Sequence, residues 1–183
     1  MQVKGNILRA RIAFVKERFG EAAWDRVVRT LSAEEQKQLS GVVNVAWYPF
    51  DLGRHLDDAI VAVLGGGKTT VFEEMGRASA RENLTTVHRN FLDAGDPQAF
   101  MQKAPMIYRF YYDTGRRTWE ATGPTSGVIT THDADTYSAA DCATVVGWYK
   151  EALAMVGAKN PVIVEEACRA RGDECCRYRV SWS

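Results

Sequence analysis

Residues 162–182 read VIVEEACRARGDECCRYRVSW. Two segments rich in β-branched and aromatic residues flank a Gly-Asp turn, which predicts a β-hairpin with strands over 162–170 and 175–182. If Cys168 lies opposite Cys176, alternation turns a mostly apolar set of side chains to one face. This set consists of Val162, Val164, Glu166, Cys168, Cys176, Tyr178, Val180 and Trp182. We expect this face to lie against the core, because its members are mostly apolar or carry sulfur.

Glu166 is the exception on this predicted face, because it places a carboxylate among apolar side chains. Such a group needs a partner, for which the Tyr178 hydroxyl is the candidate, or it acquires a raised pKa. The interpretation depends on the register of the two strands. A shift of one residue would set Glu165 opposite Tyr178, and the buried charge would disappear.

The chain before this hairpin predicts the rest of a β-sheet. Segments rich in Thr, Val and Ile at 118–122 and 127–132 flank a Gly-Pro pair, which indicates a second hairpin. Ser138 and Asp141 then cap an amphipathic helix that Gly157 ends. The order ββαββ predicts a four-stranded antiparallel sheet with a helix between its two hairpins.

The first part of the chain, 1–115, carries helical periodicity almost throughout. Ser32 and Thr70 are each followed by a glutamate three residues later, which predicts capping boxes at two helix starts. The helix that begins at Thr70 should run toward Val87. Asp96 is followed by proline, which marks another helix start. We therefore expect an α+β fold in which N-terminal helices pack on the C-terminal sheet.

Length and composition predict one domain over 1–183, with a helical part, 1–115, and a ββαββ part, 116–183. The 23 basic residues balance the 23 acidic ones, which disfavours nucleic-acid binding. No apolar run approaches the roughly 20 residues that span a membrane. The sequence also lacks a secretory signal and an evenly spaced cysteine framework. We expect a cytoplasmic protein with reduced thiols that binds neither nucleic acids nor membranes.

No catalytic motif is complete in this sequence. Residues 65–69, GGGKT, resemble a phosphate-binding loop, but Ala62 replaces its first glycine and a helix precedes it instead of a strand. His55, His88 and His132 lie far apart and match no zinc-enzyme spacing. The serine-nucleophile motif G-x-S-x-G is absent as well. We therefore expect no enzyme, no catalytic residue and no cofactor.

Cys168 and Cys176 admit three interpretations. They could be small buried residues, half of a metal site, or a redox pair across adjacent strands. Zinc takes four protein ligands in structural sites and three in catalytic ones, and these two cysteines lack a defined third partner. We therefore expect no metal site, and the roles of these cysteines and of Cys175 stay open.

Residues 165–178, EEACRARGDECCRY, resemble the closing motif of the 4-vinyl reductase domain family. A cysteine, a Gly-Asp turn, a second cysteine eight residues after the first and an aromatic residue recur in that family. The fold is shared with haem nitric-oxide sensors and with subunits of the Golgi transport tethering complex. Residues 14–20, FVKERFG, and 47–50, WYPF, resemble an uncharacterised paralogous family of myxobacterial proteins.

The resemblance implies a small-molecule or hydrocarbon-binding sensory module that is often dimeric, and not a demonstrated reductase. The haem sensors depend on a proximal histidine and a Tyr-x-Ser-x-Arg signature; this signature is absent here, so we expect no haem. We predict a non-enzymatic ligand-binding or signalling module with an apolar pocket between helices and sheet. The predicted lining residues are Tyr149, Glu166, Cys168, Cys176, Tyr178 and Trp182.

Two other functions fit the same sequence. The first is an interaction or tethering protein that dimerises and holds no ligand. The second is a thiol-dependent reductase that uses Cys168 and Cys176, which requires a solvent-accessible thiolate with a lowered pKa.

Overall fold

The computed structural model describes residues 1–86, 88–92, 95–135 and 138–183. The first part of the described chain contains β1 (Gln2–Lys4), α1 (Gly5–Phe19), α2 (Glu21–Val28), α3 (Ala33–Ser40), β2 (Trp47–Pro49), α4 (Phe50–Val63), α5 (Thr70–Thr85), α6 (Pro97–Gln102) and α7 (Ala104–Tyr111). The second part contains β3 (Arg116–Gly123), β4 (Ser126–His132), α8 (Ala139–Met155), β5 (Val162–Ala167) and β6 (Cys176–Ser181). The predicted order, helices followed by ββαββ, is confirmed.

The C-terminal strands form one antiparallel four-stranded sheet in the order β3-β4-β6-β5. Each hairpin contributes two neighbouring strands, and β4 pairs with β6 in the middle of the sheet. The predicted α+β fold with a four-stranded antiparallel sheet is therefore confirmed. In addition, β1 pairs with β2 in a separate two-stranded sheet, which the sequence pattern did not predict.

The register of the β5–β6 hairpin differs from the predicted one by one residue. Glu165 lies opposite Tyr178, and Val162 lies opposite Ser181. Val162 is 49% exposed, and Glu166 is exposed on the same outer face. The predicted inward placement of Glu166 is therefore wrong, and its carboxylate needs no partner inside the core.

A β-bulge explains why the wrong register still predicted a buried Cys168. The pairing shifts between Glu165 and Ala167, so that β5 carries an extra residue at this point. An extra residue reverses the alternation of side chains beyond it. Cys168 therefore points into the core, where it is fully buried together with Cys176.

Short-range side-chain contacts account for several helix starts. Ser32 Oγ accepts a hydrogen bond from the Glu35 backbone N–H, and Glu35 Oε2 accepts one from Ser32 N–H at 2.8 Å. Asp96 caps α6 by accepting a hydrogen bond from a backbone N–H, as predicted. The predicted capping box at Thr70 is wrong, because Thr69 occupies the N-cap and makes no side-chain cap bond.

The glycine-rich stretch between α4 and α5 forms a connection between two helices. Gly66 and Gly67 have φ angles of +57° and +80°, which glycine adopts without steric cost. The connection therefore has a local structural reason that involves no phosphate. The predicted end of α5 near Val87 lies outside the described residues.

α5 and α8 cross at very close range. A Cβ atom at Gly76 would collide with the backbone oxygen of Thr144, and one at Gly147 would collide with that of Glu73. Only glycine permits so close an approach of two backbones. This pair of helices is thus the centre of the packing, and α8 also contacts the sheet through β5.

One continuous hydrophobic cluster extends from Val3 to Trp182 and joins the helices to the sheet. Its largest fully buried side chains include Tyr149, Tyr178 and Phe72. Among the helices that the structure describes, none is long and apolar enough to cross a membrane.

Candidate functional site

A pocket opens between α1, α5, α7 and α8, and we call it the helix pocket. It contains about 550 Å³ of empty space, including the part that is open to solvent. Its apolar wall is formed by Ile7, Ala10, Met75, Ile107, Val145 and Trp148. Its polar lining is formed by Arg11, Ser79, Asn83, Tyr111, Tyr112, Arg117, Asp141, Thr144 and Tyr149.

Two tyrosine hydroxyls in this lining, those of Tyr111 and Tyr149, make no hydrogen bond of normal geometry among the described residues, although Asn83 and Arg117 lie near enough to interact with them. Tyr149 is 1% exposed and Tyr111 is 8% exposed. Burial raises the pKa of Tyr111, so its hydroxyl keeps its proton and can donate it to an acceptor. A buried hydroxyl without a partner costs about 1–3 kcal/mol. A molecule that supplies a polar atom to these hydroxyls would remove this cost.

A buried ion-pair network forms the floor of the helix pocket. The Arg11 guanidinium donates hydrogen bonds to Asp57 Oδ2 and Asp141 Oδ1, both at 3.0 Å. The Tyr112 hydroxyl donates to Asp141 Oδ2 at 2.9 Å. Burial raises the pKa of Asp57 to about 6, although the neighbouring Arg11 opposes the shift. Arg11, Asp57 and Asp141 are thus buried charges that depend on one another.

Arg117 lies at one end of the helix pocket and has a different environment. Its Nε donates to Thr131 Oγ1 at 3.0 Å, and its guanidinium lies 4.8 Å from the Tyr108 ring centroid and 5.6 Å from that of Tyr149. In the described part of the chain, no carboxylate lies within 4.0 Å of it. A buried guanidinium held by aromatic faces retains N–H donors for another acceptor.

A smaller space of about 250 Å³, including the part that is open to solvent, lies between α7, α8 and the sheet, and we call it the sheet cavity. It is lined by Tyr108, Tyr112, Arg117, Thr131, Asp141, Cys142, Val145, Cys176 and Tyr178. The residues common to both spaces are Tyr112, Arg117, Asp141 and Val145. These shared residues form the partition between the helix pocket and the sheet cavity.

Three cysteines meet beside the sheet cavity, and we call them the thiol cluster. Cys142 Sγ lies 3.6 Å from Cys168 Sγ and 3.6 Å from Cys176 Sγ. All three sulfur atoms lie within 4.8 Å of one another, and all three residues are buried. Thiolate sulfur is a preferred ligand of zinc and of other soft metal ions. The thiol cluster is therefore the place in the described chain where a metal ion could be held.

Hydrogen bonding inside the thiol cluster separates the acidities of its members. Cys142 shares hydrogen bonds with both other sulfurs, and these raise the pKa of Cys142. The same hydrogen bonding with Cys142 lowers the pKa of Cys176 to about 6 and also lowers the pKa of Cys168. A lowered thiol pKa favours the thiolate, which is the form that binds metals. Cys175 is only partly buried and lies outside the cluster.

The predicted ligand-binding residues do not share one site. Tyr149 lines the helix pocket, whereas Cys176 and Tyr178 line the sheet cavity. Cys168 belongs to the thiol cluster. A ligand contact by any of these residues stays a prediction, but the structure places Tyr149 apart from the neighbouring residues Cys168, Cys176 and Tyr178.

The other two predicted residues lie away from both spaces. Glu166 Oε1 accepts a hydrogen bond from Arg179 Nε at 2.7 Å on the outer face of the sheet. The Trp182 ring stacks on Trp119, with the ring centroids 6.4 Å apart. Neither side chain lines the helix pocket or the sheet cavity.

Sequence reasoning missed Arg11, Tyr111, Arg117 and the membership of Cys142 in the thiol cluster. A signal existed for Arg11, because it lies three residues after Leu8 and four before Val15 on the buried face of α1. A charged residue at such a position predicts a buried partner. No comparable signal identified Cys142, because its partners Cys168 and Cys176 lie 26 and 34 residues away.

Solved structures of H-NOX proteins share the fold of this chain. The H-NOX protein from S. oneidensis in the Fe(II)NO state is 12% identical, has a TM-score of 0.78, and the match covers 98% of this chain and 99% of that one. The Fe(II) unliganded H-NOX protein from K. algicida is 10% identical with a TM-score of 0.73, over 98% and 96% of the two chains. The likeness to haem sensors is confirmed for the fold alone, and the 4-vinyl reductase resemblance stays a prediction.

Haem distortion has been probed in the H-NOX family, so the donor set of the helix pocket bears on haem binding. Haem iron is held by histidine, thiolate, tyrosine or a methionine and histidine pair. Among the described residues, no histidine or cysteine lines the helix pocket. Tyr112 gives its proton to a hydrogen bond with Asp141, and burial raises the pKa values of Tyr111 and Tyr112. The described lining of the helix pocket therefore offers neither the histidine nor the cysteine that most often holds a haem iron.

No curated protein matches the sequence of this chain. A family model described as "Protein of unknown function (DUF2378)" matches residues 48–183. The matched residues include α4 to β6, and with them the partition and the whole thiol cluster. The chain belongs to the DUF2378 family.

Proposed function

We propose that this protein is a non-enzymatic sensory module that binds a small, largely apolar molecule in the helix pocket. The observation that carries the proposal is the pair of buried hydroxyls, Tyr111 and Tyr149, that line this pocket without a hydrogen bond of normal geometry. Small-molecule sites are typically concave and apolar, with a few polar groups that orient the ligand. The helix pocket has this composition.

The lining suggests an apolar or aromatic molecule with one polar end. Met75, Ile107 and Trp148 offer flat or flexible apolar contacts to the body of such a molecule. Arg117 and the Tyr149 hydroxyl lie together at one end, where a hydrogen-bond acceptor of the ligand would meet them. A carboxylate or carbonyl oxygen is the group that these donors fit.

A binding function is favoured over a catalytic one because the carboxylate in the helix pocket is already hydrogen-bonded. Asp141 is the carboxylate among the described residues that line the helix pocket, and both of its oxygens accept hydrogen bonds. A general base needs a lone pair that can take a proton from the substrate. The Asp141 carboxylate is instead committed to Arg11 and Tyr112.

Native mass spectrometry of the purified protein tests the proposal first. We expect extra mass on the folded chain that is released on denaturation as a small organic molecule. Dye binding tests the location, because anilinonaphthalene sulfonate combines an aromatic body with an anionic end. We expect the dye to bind the wild type with enhanced fluorescence and to compete with the released molecule.

A pair of variants tests whether binding takes place in the helix pocket. Ala10→Phe adds a ring to the wall of the helix pocket, whereas Ala22→Phe adds the same ring at an exposed position of α2. We expect the first variant to lose dye binding and co-purified molecule while the second keeps both. Equal dye binding by the two variants, or a wild type that binds neither dye nor molecule, would refute the proposal.

The same spectra report the oligomeric state. We propose a homodimer in the cytoplasm, as the resemblance implies, with the small molecule as its main partner. A dimer mass with ligand supports the sensory module. A dimer mass without ligand would favour the interaction or tethering function in its place.

A further inference from the structure

The loop between α3 and β2 presents apolar side chains to solvent. Val43, Val45 and Trp47 alternate along the chain at this place, and all three are exposed. Val45 is 77% exposed, the highest value among the large hydrophobic side chains of the described chain. We call these three residues the apolar tip. Single exposed apolar residues are common on protein surfaces, but three within five positions form a patch that indicates a binding surface.

Backbone hydrogen bonds attach this loop to the start of α1. The Gly5 N–H donates to Ala46 O at 2.9 Å, and the Asn6 N–H donates to Asn44 O at 3.1 Å. The loop also lies directly against Gly5, where a Cβ atom would collide with the backbone oxygen of Val43. The backbone that carries the apolar tip is therefore fixed, and its side chains are presented without any rearrangement of the fold.

Two cations lie at the base of the apolar tip. Lys4 Nζ donates to Val45 O at 3.1 Å and lies 3.9 Å from the Trp47 ring centroid. Arg9 Nη1 donates to Val42 O at 3.4 Å. In the described part of the chain, neither cation forms an ion pair with a carboxylate. The segments 1–9 and 41–50 contain these two cations and no acidic residue, so the surface around the tip is locally basic.

The backbone carbonyls of the loop favour a lipid surface over a protein partner. Each carbonyl oxygen of residues 42–46 already accepts a hydrogen bond inside the chain, from a backbone N–H or from Lys4 or Arg9. A carbonyl that enters a bilayer without such a bond costs several kcal/mol, so these bonds permit insertion. Protein interfaces instead depend on polar groups that are still free to bond across the contact. Tryptophan and lysine side chains are typical of the headgroup region of membranes.

We propose that the apolar tip docks reversibly on an anionic membrane surface. Its three side chains enter the boundary between headgroups and acyl chains, and Lys4 and Arg9 contact lipid phosphates. The sequence predicts no membrane binding because it lacks a run of apolar residues long enough to span a bilayer. Docking at the surface needs no such run, only a few apolar side chains beside cations.

Docking by the apolar tip also bears on the helix pocket. α1 begins at the tip, and its first two turns carry Ile7 and Ala10 in the wall of that pocket. A docked protein therefore holds this wall near the bilayer, from which an apolar molecule can partition. This consequence rests on the proposed function, whereas the docking itself needs no pocket ligand.

Sedimentation of the full chain with lipid vesicles tests the docking. We expect binding to vesicles of phosphatidylcholine with phosphatidylglycerol, weaker binding to phosphatidylcholine alone, and release at high salt. Val45→Asp should weaken binding on the order of tenfold or more, because it places an anion at the inserted position. Val162→Asp is the matched control at another exposed valine and should bind like the wild type. Lys4→Gln should weaken binding, whereas Lys159→Gln at an exposed position should not.

Tryptophan fluorescence gives a second measurement on the same vesicles. Lipids with brominated acyl chains should quench part of the wild-type emission, and Trp47→Phe should remove this quenching. Absence of binding to anionic vesicles, or equal binding by Val45→Asp and Val162→Asp, would overturn the proposal. A dimer that Val45→Asp converts to a monomer, without vesicle binding by the wild type, would overturn it in favour of a protein contact. Unchanged dye binding by Val45→Asp separates this test from that of the helix pocket.

Discussion

The helix pocket and the thiol cluster both adjoin α8 and have opposite characters. The helix pocket combines open space with neutral hydroxyls that lack hydrogen bonds of normal geometry, whereas the thiol cluster packs three soft donors into mutual contact. Open space with few donors suits an organic molecule, and dense donors without space suit an ion. The difference teaches that one helix can serve two kinds of site when neighbouring positions on it meet different elements.

The partition lies between the helix pocket and the sheet cavity, which adjoins the thiol cluster. Asp141 and Tyr112 are held in the ion-pair network, and Arg117 reaches both spaces. Any change to the partition should affect the helix pocket and the sheet cavity together. Changes outside it should affect one or neither, which makes the comparison testable.

Removal of the Arg11 guanidinium from the ion-pair network should lower the free energy of unfolding more than any other change considered. Arg11→Ala leaves Asp57 and Asp141 buried without their shared guanidinium, and we expect a loss of about 3–5 kcal/mol in the free energy of unfolding. Urea denaturation measures this loss. Arg9→Ala, at an exposed position of the same helix, should change stability by less than about 0.5 kcal/mol. A loss below about 1 kcal/mol for Arg11→Ala would show that the two carboxylates do not depend on it.

A change at the close crossing of α5 and α8 should cause the second-largest loss of stability. It should also affect the helix pocket, because both helices line it. Gly147→Ala adds a Cβ atom that collides with the backbone oxygen of Glu73 and forces the helices apart. We expect a loss of about 1–3 kcal/mol together with weaker dye binding. Gly41→Ala is the control, since a Cβ there meets nothing closer than 3.9 Å. Thermal unfolding of both variants measures the difference, and equal melting temperatures would contradict the close crossing.

Removal of the Ser32 cap at the start of α3, outside both sites, should cause a smaller loss of stability that depends on pH. Ser32→Ala should cost about 1 kcal/mol at neutral pH. The hydrogen bond from Ser32 lowers the pKa of Glu35 to about 2, from an ordinary value of 4.5. The stabilisation by ionised Glu35 is therefore fully present above pH 4.5 and is lost as the pH falls through 2.

Denaturation at neutral and acidic pH checks this cap. The difference between wild type and Ser32→Ala should shrink as the pH is lowered from 4.5 toward 2. Ser40→Ala, which removes a hydroxyl that donates to a backbone oxygen at the other end of α3, should show no such trend. A constant difference for Ser32→Ala across this range would contradict the assigned role of Glu35.

Two tyrosines give the smallest effect and the sharpest contrast between the sites. The Tyr149 hydroxyl makes no hydrogen bond of normal geometry in the described chain, so Tyr149→Phe should not lower the free energy of unfolding of the ligand-free protein. The Tyr178 hydroxyl interacts with Cys142, so Tyr178→Phe should cost about 0.5–1 kcal/mol. Guanidinium denaturation of ligand-free samples measures both. A larger cost for Tyr149→Phe than for Tyr178→Phe would reverse the comparison.

Most helices and all four C-terminal strands could be predicted because their signals are local. Ser32 and Asp96 mark helix starts through contacts that span three residues, and the strands 116–123 and 126–132 flank a short turn. The register of the last hairpin could not be predicted in the same way. Both registers bury Cys176 and Tyr178, and only the bulge after Glu165 distinguishes them.

The candidate sites were predictable only in part. Cys168 and Cys176 were identified as a pair, but Cys142 joins them from α8 across 26 residues of chain. The helix pocket arises where four helices meet, and Tyr149 is the one predicted residue that lines it. Glu166 was placed inward by a register that the bulge removes.

The sequence by itself determined the elements, their order and the α+β class, because periodicity, caps and turns depend on residues a few positions apart. The tertiary structure decided which donors meet. The close crossing at Gly76 and Gly147 sets the position of α8, and the bulge in β5 turns Cys168 toward Cys142. Contacts between distant residues depend on these packing angles and on strand register, and a local pattern carries no information about either.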